Sequence, residues 1–218
     1  MQQAIKMPEK YLSVLGDCRT QKIIEKSRFI ATSRHVESEE EAKRFIAEIS
    51  AEFYDATHNC YAYVCDKSGN FLRFSDDGEP QGTAGMPMLE VIKNNSLFET
   101  AVVVTRYFGG IKLGAGGLVR AYAGAVAENL VSAQKVLYET CLESRFTVEY
   151  SNIDAALRYF AESGADVIKT EYLNEVVFTV AIKKSEYADF VAGLINRLCG
   201  KVKTERTGEY FFPFKIRG

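Results

Sequence analysis

One stretch constrains this chain more than any other: a buried strand that hands over, through a glycine-rich turn, to a long helix. Thr100–Arg106 reads T-A-V-V-V-T-R, β-branched and without the polar alternation of a half-exposed strand, so both its faces must be covered. Gly117–Lys135 then carries Leu118, Tyr122, Val126 and Leu130 at helical spacing, one apolar stripe on an alanine-rich helix. Gly109, Gly110, Gly114, Gly116 and Gly117 put five glycines within nine residues at the junction. Glycine permits positive φ and close backbone approach. A helix start also offers free N–H groups and a positive dipole end to an anion, and Arg106, Lys112 and Arg120 add charge around it. The same glycines equally serve to pack a tight strand-to-helix crossing, and both readings stand at this point.

The remaining pattern places strands and helices on either side of this junction. Met1–Thr20 reads as a leader with one short strand, and Gln21–Ala31 as a strand with Ile23, Phe29 and Ile30 as its apolar part. Ser38 caps a helix, with Glu41 three residues on as in a capping box and Ala42, Phe45, Ile46 and Ile49 on the buried face. Cys60–Asp66 alternates, Ser68-Gly69-Asn70 turns, and Phe71–Phe74 resumes the alternation, a hairpin. A loop over Ser75–Pro87 and a short helix over Met88–Asn94 lead to the central strand. Further on come strand Ser144–Tyr150, helix Ile153–Glu162 between Asn152 and Gly164, strands Ala165–Tyr172 and Glu175–Lys183, helix Glu186–Leu198 between Ser185 and Gly200, and strand Lys201–Phe212. This β-α-β-β-α-β order is the ferredoxin-like arrangement. The pattern changes at about residues 136–143, so an α+β chain of two domains is expected, 1–138 and 139–218.

Charge excludes the simplest nucleic-acid reading. Lys and Arg number 27 against 29 Asp and Glu, split evenly as 16 and 17 up to Tyr138 and 11 and 12 beyond it. With no polybasic arm, any anion site must be a local patch. Cys18, Cys60, Cys65, Cys141 and Cys199 form no C-x-x-C pair and match no zinc spacing, which points to buried thiols in a reducing cytoplasm and to no metal site. Apolar runs are far too short to cross a bilayer, and no secretory signal opens the sequence. A cytoplasmic location without a membrane partner is expected.

Nucleotide motifs fail on spacing. No Gly-Lys-Ser/Thr occurs, and a dinucleotide fingerprint begun at Gly114 would put Val119 where its last glycine belongs. Asp76-Asp77-Gly78-Glu79 offers oxygen ligands but lacks the spacing of a calcium loop, and its composition is also that of an ordinary turn. His58 and Cys60 share a strand face as a candidate nucleophile pair or as a structural thiol beside a buried histidine.

Three segments carry a resemblance: Thr57–Tyr63 (T-H-N-C-Y-A-Y), Ser75–Pro87 (S-D-D-G-E-P-Q-G-T-A-G-M-P) and Arg106–Arg120 (R-Y-F-G-G-I-K-L-G-A-G-G-L-V-R). In this order and spacing they resemble the IMPACT family over roughly residues 20–133, and residues 140–212 look like the smaller C-terminal domain of its bacterial members. The resemblance implies a first domain related to elongation factor G domain four and to the second-domain fold of a small-subunit ribosomal protein, then a ferredoxin-like domain related to elongation factor G domain five. It implies a non-catalytic regulator linked to translation or stress response, since eukaryotic members restrain the amino-acid-starvation kinase by competing for its activator. The expected function is binding of RNA, the ribosome or a protein partner through Arg106, Gly109, Gly110, Lys112, Gly114, Gly116, Gly117 and Arg120, with no cofactor and no catalytic residue. His58, Asp76, Asp77 and Glu79 are accessory; the alternative is a hydrolase-like enzyme using the acidic loop and His58, which requires these segments to converge in one cleft.

Overall fold

The first half of the chain builds β1 (Lys10–Val14), β2 (Cys18–Ile24), β3 (Ser27–His35), α1 (Glu39–Glu52), β4 (His58–Val64), β5 (Leu72–Ser75), α2 (Gly85–Asn94), β6 (Thr100–Tyr107) and α3 (Gly114–Ser132). Then follow β7 (Lys135–Val148), α4 (Ile153–Ser163), β8 (Asp166–Tyr172), β9 (Val176–Lys183), α5 (Tyr187–Arg197) and β10 (Val202–Lys215). The structure is a computed structural model and describes residues 9–216. It is an α+β fold in two units, the first taking the chain up to Leu137 and the second Tyr138–Phe214. Among the described residues no helix is long and apolar enough to cross a membrane.

In the first unit an antiparallel sheet runs β2-β3-β6-β4-β5, with β6 at its centre. Its residues are buried from Thr100 through Arg106, as the unbroken β-branched run requires. Ala101 and Val103 pack on one face with Phe45 and Ile49 of α1, whereas Val102 and Val104 pack on the other with Met88 and Ile92 of α2 and Tyr122 and Val126 of α3. Period two in the strand thus feeds two cores at once. Ser38 caps α1 as expected, its hydroxyl accepting Glu41 N at 3.2 Å.

Several elements depart from the expectation for identifiable reasons. Gln21–Ala31 is a hairpin rather than one strand, turned at Glu25 and Lys26 with φ of 45° and 63°. Both central residues take the left-handed conformation usual for Asn-Gly, so no glycine marked the turn. Helix α2 starts at Gly85, inside the expected loop, because Asp76, nine residues upstream, accepts amides at its start. Helix α3 starts at Gly114, so Gly114, Gly116 and Gly117 lie in its first turn instead of preceding it. The division between the two units, after Leu137, falls within the expected 136–143 and inside the continuous strand β7. The segment before Glu9 in the expected leader lies outside the described residues.

The second unit's strands run β10-β7-β9-β8, with β7-β9 and β8-β9 antiparallel. Helices α4 and α5 share one core with β7 and β9 through Phe146, Phe160, Phe178, Phe190 and Leu194. Gly164, at φ 74°, ends α4 in the left-handed conformation that suits glycine. Asn152 and Ser185 make no side-chain cap; a single 3-10 turn precedes each helix instead.

Candidate functional site

All three motif segments meet on one face of the first sheet. Register sets His58 of β4 opposite Arg106 of β6, and Arg106 opposite Phe29 of β3. The loop after β5 is folded over this row by Asp76. Its Oδ1 accepts Ala84 N (3.0 Å) and Gly85 N (2.8 Å), and its Oδ2 accepts Gly82 N (2.8 Å). Burial raises the Asp76 pKa, but the amides of Gly82, Gly85 and Ala84 together outweigh it and hold the group below its ordinary value. Asp76 therefore acts as a remote cap for α2. Gly85 cannot carry a side chain there, because a Cβ would come within 2.8 Å of the Ser75 backbone.

This folding delivers Glu79 to the row. Its Oε1 accepts Arg106 Nη1 at 2.6 Å and the Tyr122 hydroxyl at 2.7 Å, with Glu79 and Arg106 both buried. Glu79 Oε2 lies 3.8 Å from His58 Nε2. His58 Nδ1 donates to the Asp77 carbonyl at 2.7 Å, which leaves Nε2 as the acceptor in the neutral ring. Asp77 Oδ2 in turn accepts Asn59 N at 2.5 Å. Burial pushes the Tyr122 phenol well above its ordinary range and the Cys60 thiol up to about 12. Cys60 is fully buried, its Sγ donating to the Asp76 carbonyl at 3.0 Å.

Arg106, expected to add charge at an anion site, is 5 % exposed, paired with Glu79, and lies against the rings of Phe29 and Phe108 at 5.4 and 5.5 Å. A guanidinium is buried here because a carboxylate meets it. Its Nε has no hydrogen-bond partner among the described residues. Lys112 and Arg120 are exposed and without a salt-bridge partner among those residues.

Next to the row opens a cleft of about 450 Å³ lined by His58, Glu79, Arg106, Phe108, Lys112 and Gly114. The start of α3 forms its rim, with Leu113 at the cap position and no side-chain cap. The glycines are not equivalent. Gly109 is required by close approach, since a Cβ would lie 2.0 Å from Lys26 C; Gly110 and Gly114 have φ of 87° and 68°. Gly116 has neither constraint, its nearest neighbour being Arg120 Nη1 at 3.9 Å. Sequence reasoning missed the roles of Tyr122, Ser27 and Phe29 at this site. Ser27 Oγ accepts from both Gly109 N (3.2 Å) and Arg106 Nη2 (3.4 Å), and only strand register brings it there.

Two α+β units, the first bearing a motif-lined cleft at a helix start, define the class to which this chain belongs. The Impact N-terminal domain family matches residues 25–130, and a second family, Domain of unknown function (DUF1949), matches residues 146–201. IMPACT family member YvyE of Bacillus subtilis is 38% identical over 87% of this chain and 89% of its own length. An IMPACT family member of Haemophilus influenzae is 50% identical over 82% of this chain and 88% of its own. A crystal structure of a hypothetical protein aligns with TM-score 0.60 at 33% identity, covering 92% of this chain and 98% of that one. The chain belongs to the IMPACT family.

Proposed function

We propose that this protein is a regulator that works by binding, and that its cleft and glycine turn take the phosphates of single-stranded RNA. The observation that carries this reading is the junction of an uncapped helix start with exposed Lys112 and Arg120, which have no salt-bridge partner among the described residues. Free N–H groups and a positive dipole end favour an anion there. Exposed Phe108 and Ile111 flank the turn, and Phe108 offers a ring on which a base can stack. Arg106 takes a different part from the one its charge implies: neutralised by Glu79, it holds Phe108 and the cleft wall. Kinship of the first unit with elongation factor G domain four, and a ferredoxin-like second unit, belong to the same proposal. The strand order β10-β7-β9-β8 with both helices in one core supports the latter.

The test is binding of a short single-stranded RNA, and of ribosomes, at a series of salt concentrations. Lys112→Ala/Arg120→Ala should weaken binding and reduce the slope of log affinity against log salt by about 1.4, two phosphate contacts at roughly 0.7 each. An unchanged slope would remove the turn from the interface and turn attention to protein partners. A second reading, hydrolysis of a phosphorylated or amide substrate, is favoured by one observation: His58 Nε2 faces Glu79 across 3.8 Å at the cleft. Turnover of such a substrate that disappears in His58→Ala would establish it.

A further inference from the structure

At the other end of the same strands lies a group of side chains that the cleft does not use. The β3–β6 register pairs Arg28 with Tyr107 at the cleft end and His35 with Thr100 at the far end. There His35 Nε2 lies 3.4 Å from Glu37 Oε1 and 3.7 Å from Glu99 Oε2, and one ligand atom from each of the three residues falls within 4.8 Å of the others. We propose that His35, Glu37 and Glu99 hold a divalent transition-metal ion such as Zn²⁺ or Mn²⁺.

Spacing is the first support. Ligands about 2.0–2.2 Å from a tetrahedral ion stand about 3.4 Å from one another, close to the 3.4 and 3.7 Å that separate His35 Nε2 from the two carboxylates. The second is orientation. The Ser13 hydroxyl donates to the Glu99 carbonyl at 3.2 Å, and its oxygen meets His35 Nδ1 at 2.8 Å. Nδ1 is thus held by the Ser13 hydroxyl, and Nε2 is the ring nitrogen that faces the two carboxylates. A ligating histidine held by its other nitrogen is the usual outer-shell device of a metal centre. Glu99 is likewise fixed, its Oε2 accepting from the Tyr11 hydroxyl in a site that leaves its side chain 3 % exposed. Glu37, at 66 % side-chain exposure, closes the set from the solvent side and provides the route of entry.

The donor set also defines the ligand class. One imidazole and two carboxylates suit borderline and hard divalent cations better than soft ones. Three protein ligands leave a fourth position for water, as in open rather than structural sites. Other charged groups bear on the cluster: Glu41 and Asp66 favour a cation, and Lys67 opposes one. Two carboxylates at the centre outweigh the single lysine. The competing occupant is a proton on Glu99, whose carboxyl is raised by burial.

Calorimetry on the full-length protein, stripped with chelator and titrated with Zn²⁺ alone and then Mn²⁺ alone, decides between them. Expected is one ion per chain, with affinity at least tenfold weaker in His35→Ala and in Glu37→Gln. Because Glu37 is exposed, the second variant keeps the fold and remains informative if the first does not. Co²⁺ substitution should give a visible d–d spectrum that Glu37→Gln alters. Absence of binding, or binding indifferent to both variants, overturns the proposal. The cleft lies at the other end of the strands, so RNA binding by the glycine turn stands or falls separately.

Discussion

The two units bury different chemistry. Phenylalanines 146, 160, 178 and 190 fill the core of the second with Val180, Ile182 and Leu194, and among the described residues no charged side chain is buried there. The first unit buries Glu79, Arg106 and Glu99, and Asn129 besides. Desolvating each charge costs several kcal/mol, which only good pairing offsets. An apolar replacement of equal volume is often as stable, so packing alone does not call for these groups. A fold that keeps a carboxylate against a guanidinium at the wall of a cleft is positioning them, while the second unit's core is a solution to packing.

Breaking the buried pair gives the largest expected effect. Glu79→Ala removes the acceptor of both Arg106 and Tyr122 and should cost about 3–5 kcal/mol in urea unfolding. Glu79→Leu/Arg106→Met should regain most of that loss while abolishing binding at the cleft. If the double variant is as unstable as the single one, the network is a packing necessity and the contrast with the second unit disappears.

Glycines sharpen the same contrast. Gly109→Ala drives a Cβ to 2.0 Å from Lys26 C and should destabilise by about 3 kcal/mol. Gly208→Ala in β10 meets nothing nearer than 3.6 Å and should stay within about 0.5 kcal/mol. Equal shifts in the two urea midpoints would show that the close approach at Gly109 relaxes freely.

A smaller effect than either network or close-approach variant is a pH dependence. The folded-state pKa of Asp76 lies below its ordinary 3.8, so its stabilising effect is complete above that value and is lost as pH falls through the lower folded-state value. Asp76→Asn should therefore cost about 1 kcal/mol at neutral pH, allowing for partial solvent screening, and the gap to the wild type should close in acid. A gap constant with pH would mean that the carboxylate's charge contributes nothing.

Legibility followed the same division. In the second unit, Val176, Phe178, Val180 and Ile182 alternate visibly, so the element order could be read directly from the chain. In the first, β6 was equally plain, but the turn at Glu25 and Lys26 was not, because neither residue is one that ordinarily signals positive φ. The start of α2 was hidden because its cap, Asp76, lies nine residues upstream of Gly85 and acts across a loop. The burial of Arg106 was not legible for a more general reason: nothing local in a sequence separates a buried charge from the exposed majority. Its partner Glu79 is 27 residues away, and only sheet register and the folded loop bring the two together. The motifs were visible as segments, but their convergence on one cleft belongs to tertiary structure.

Thiol burial has a practical consequence. Cys60, Cys65 and Cys141 are buried and Cys18 partly so, whereas Cys199, just past α5, is exposed. Thiolates, not thiols, react with maleimides, and burial raises the pKa of all four inner cysteines. The native chain thus presents one preferred address for a fluorescent dye, in the second unit and outside the RNA and metal sites proposed in the first, without prior removal of any cysteine.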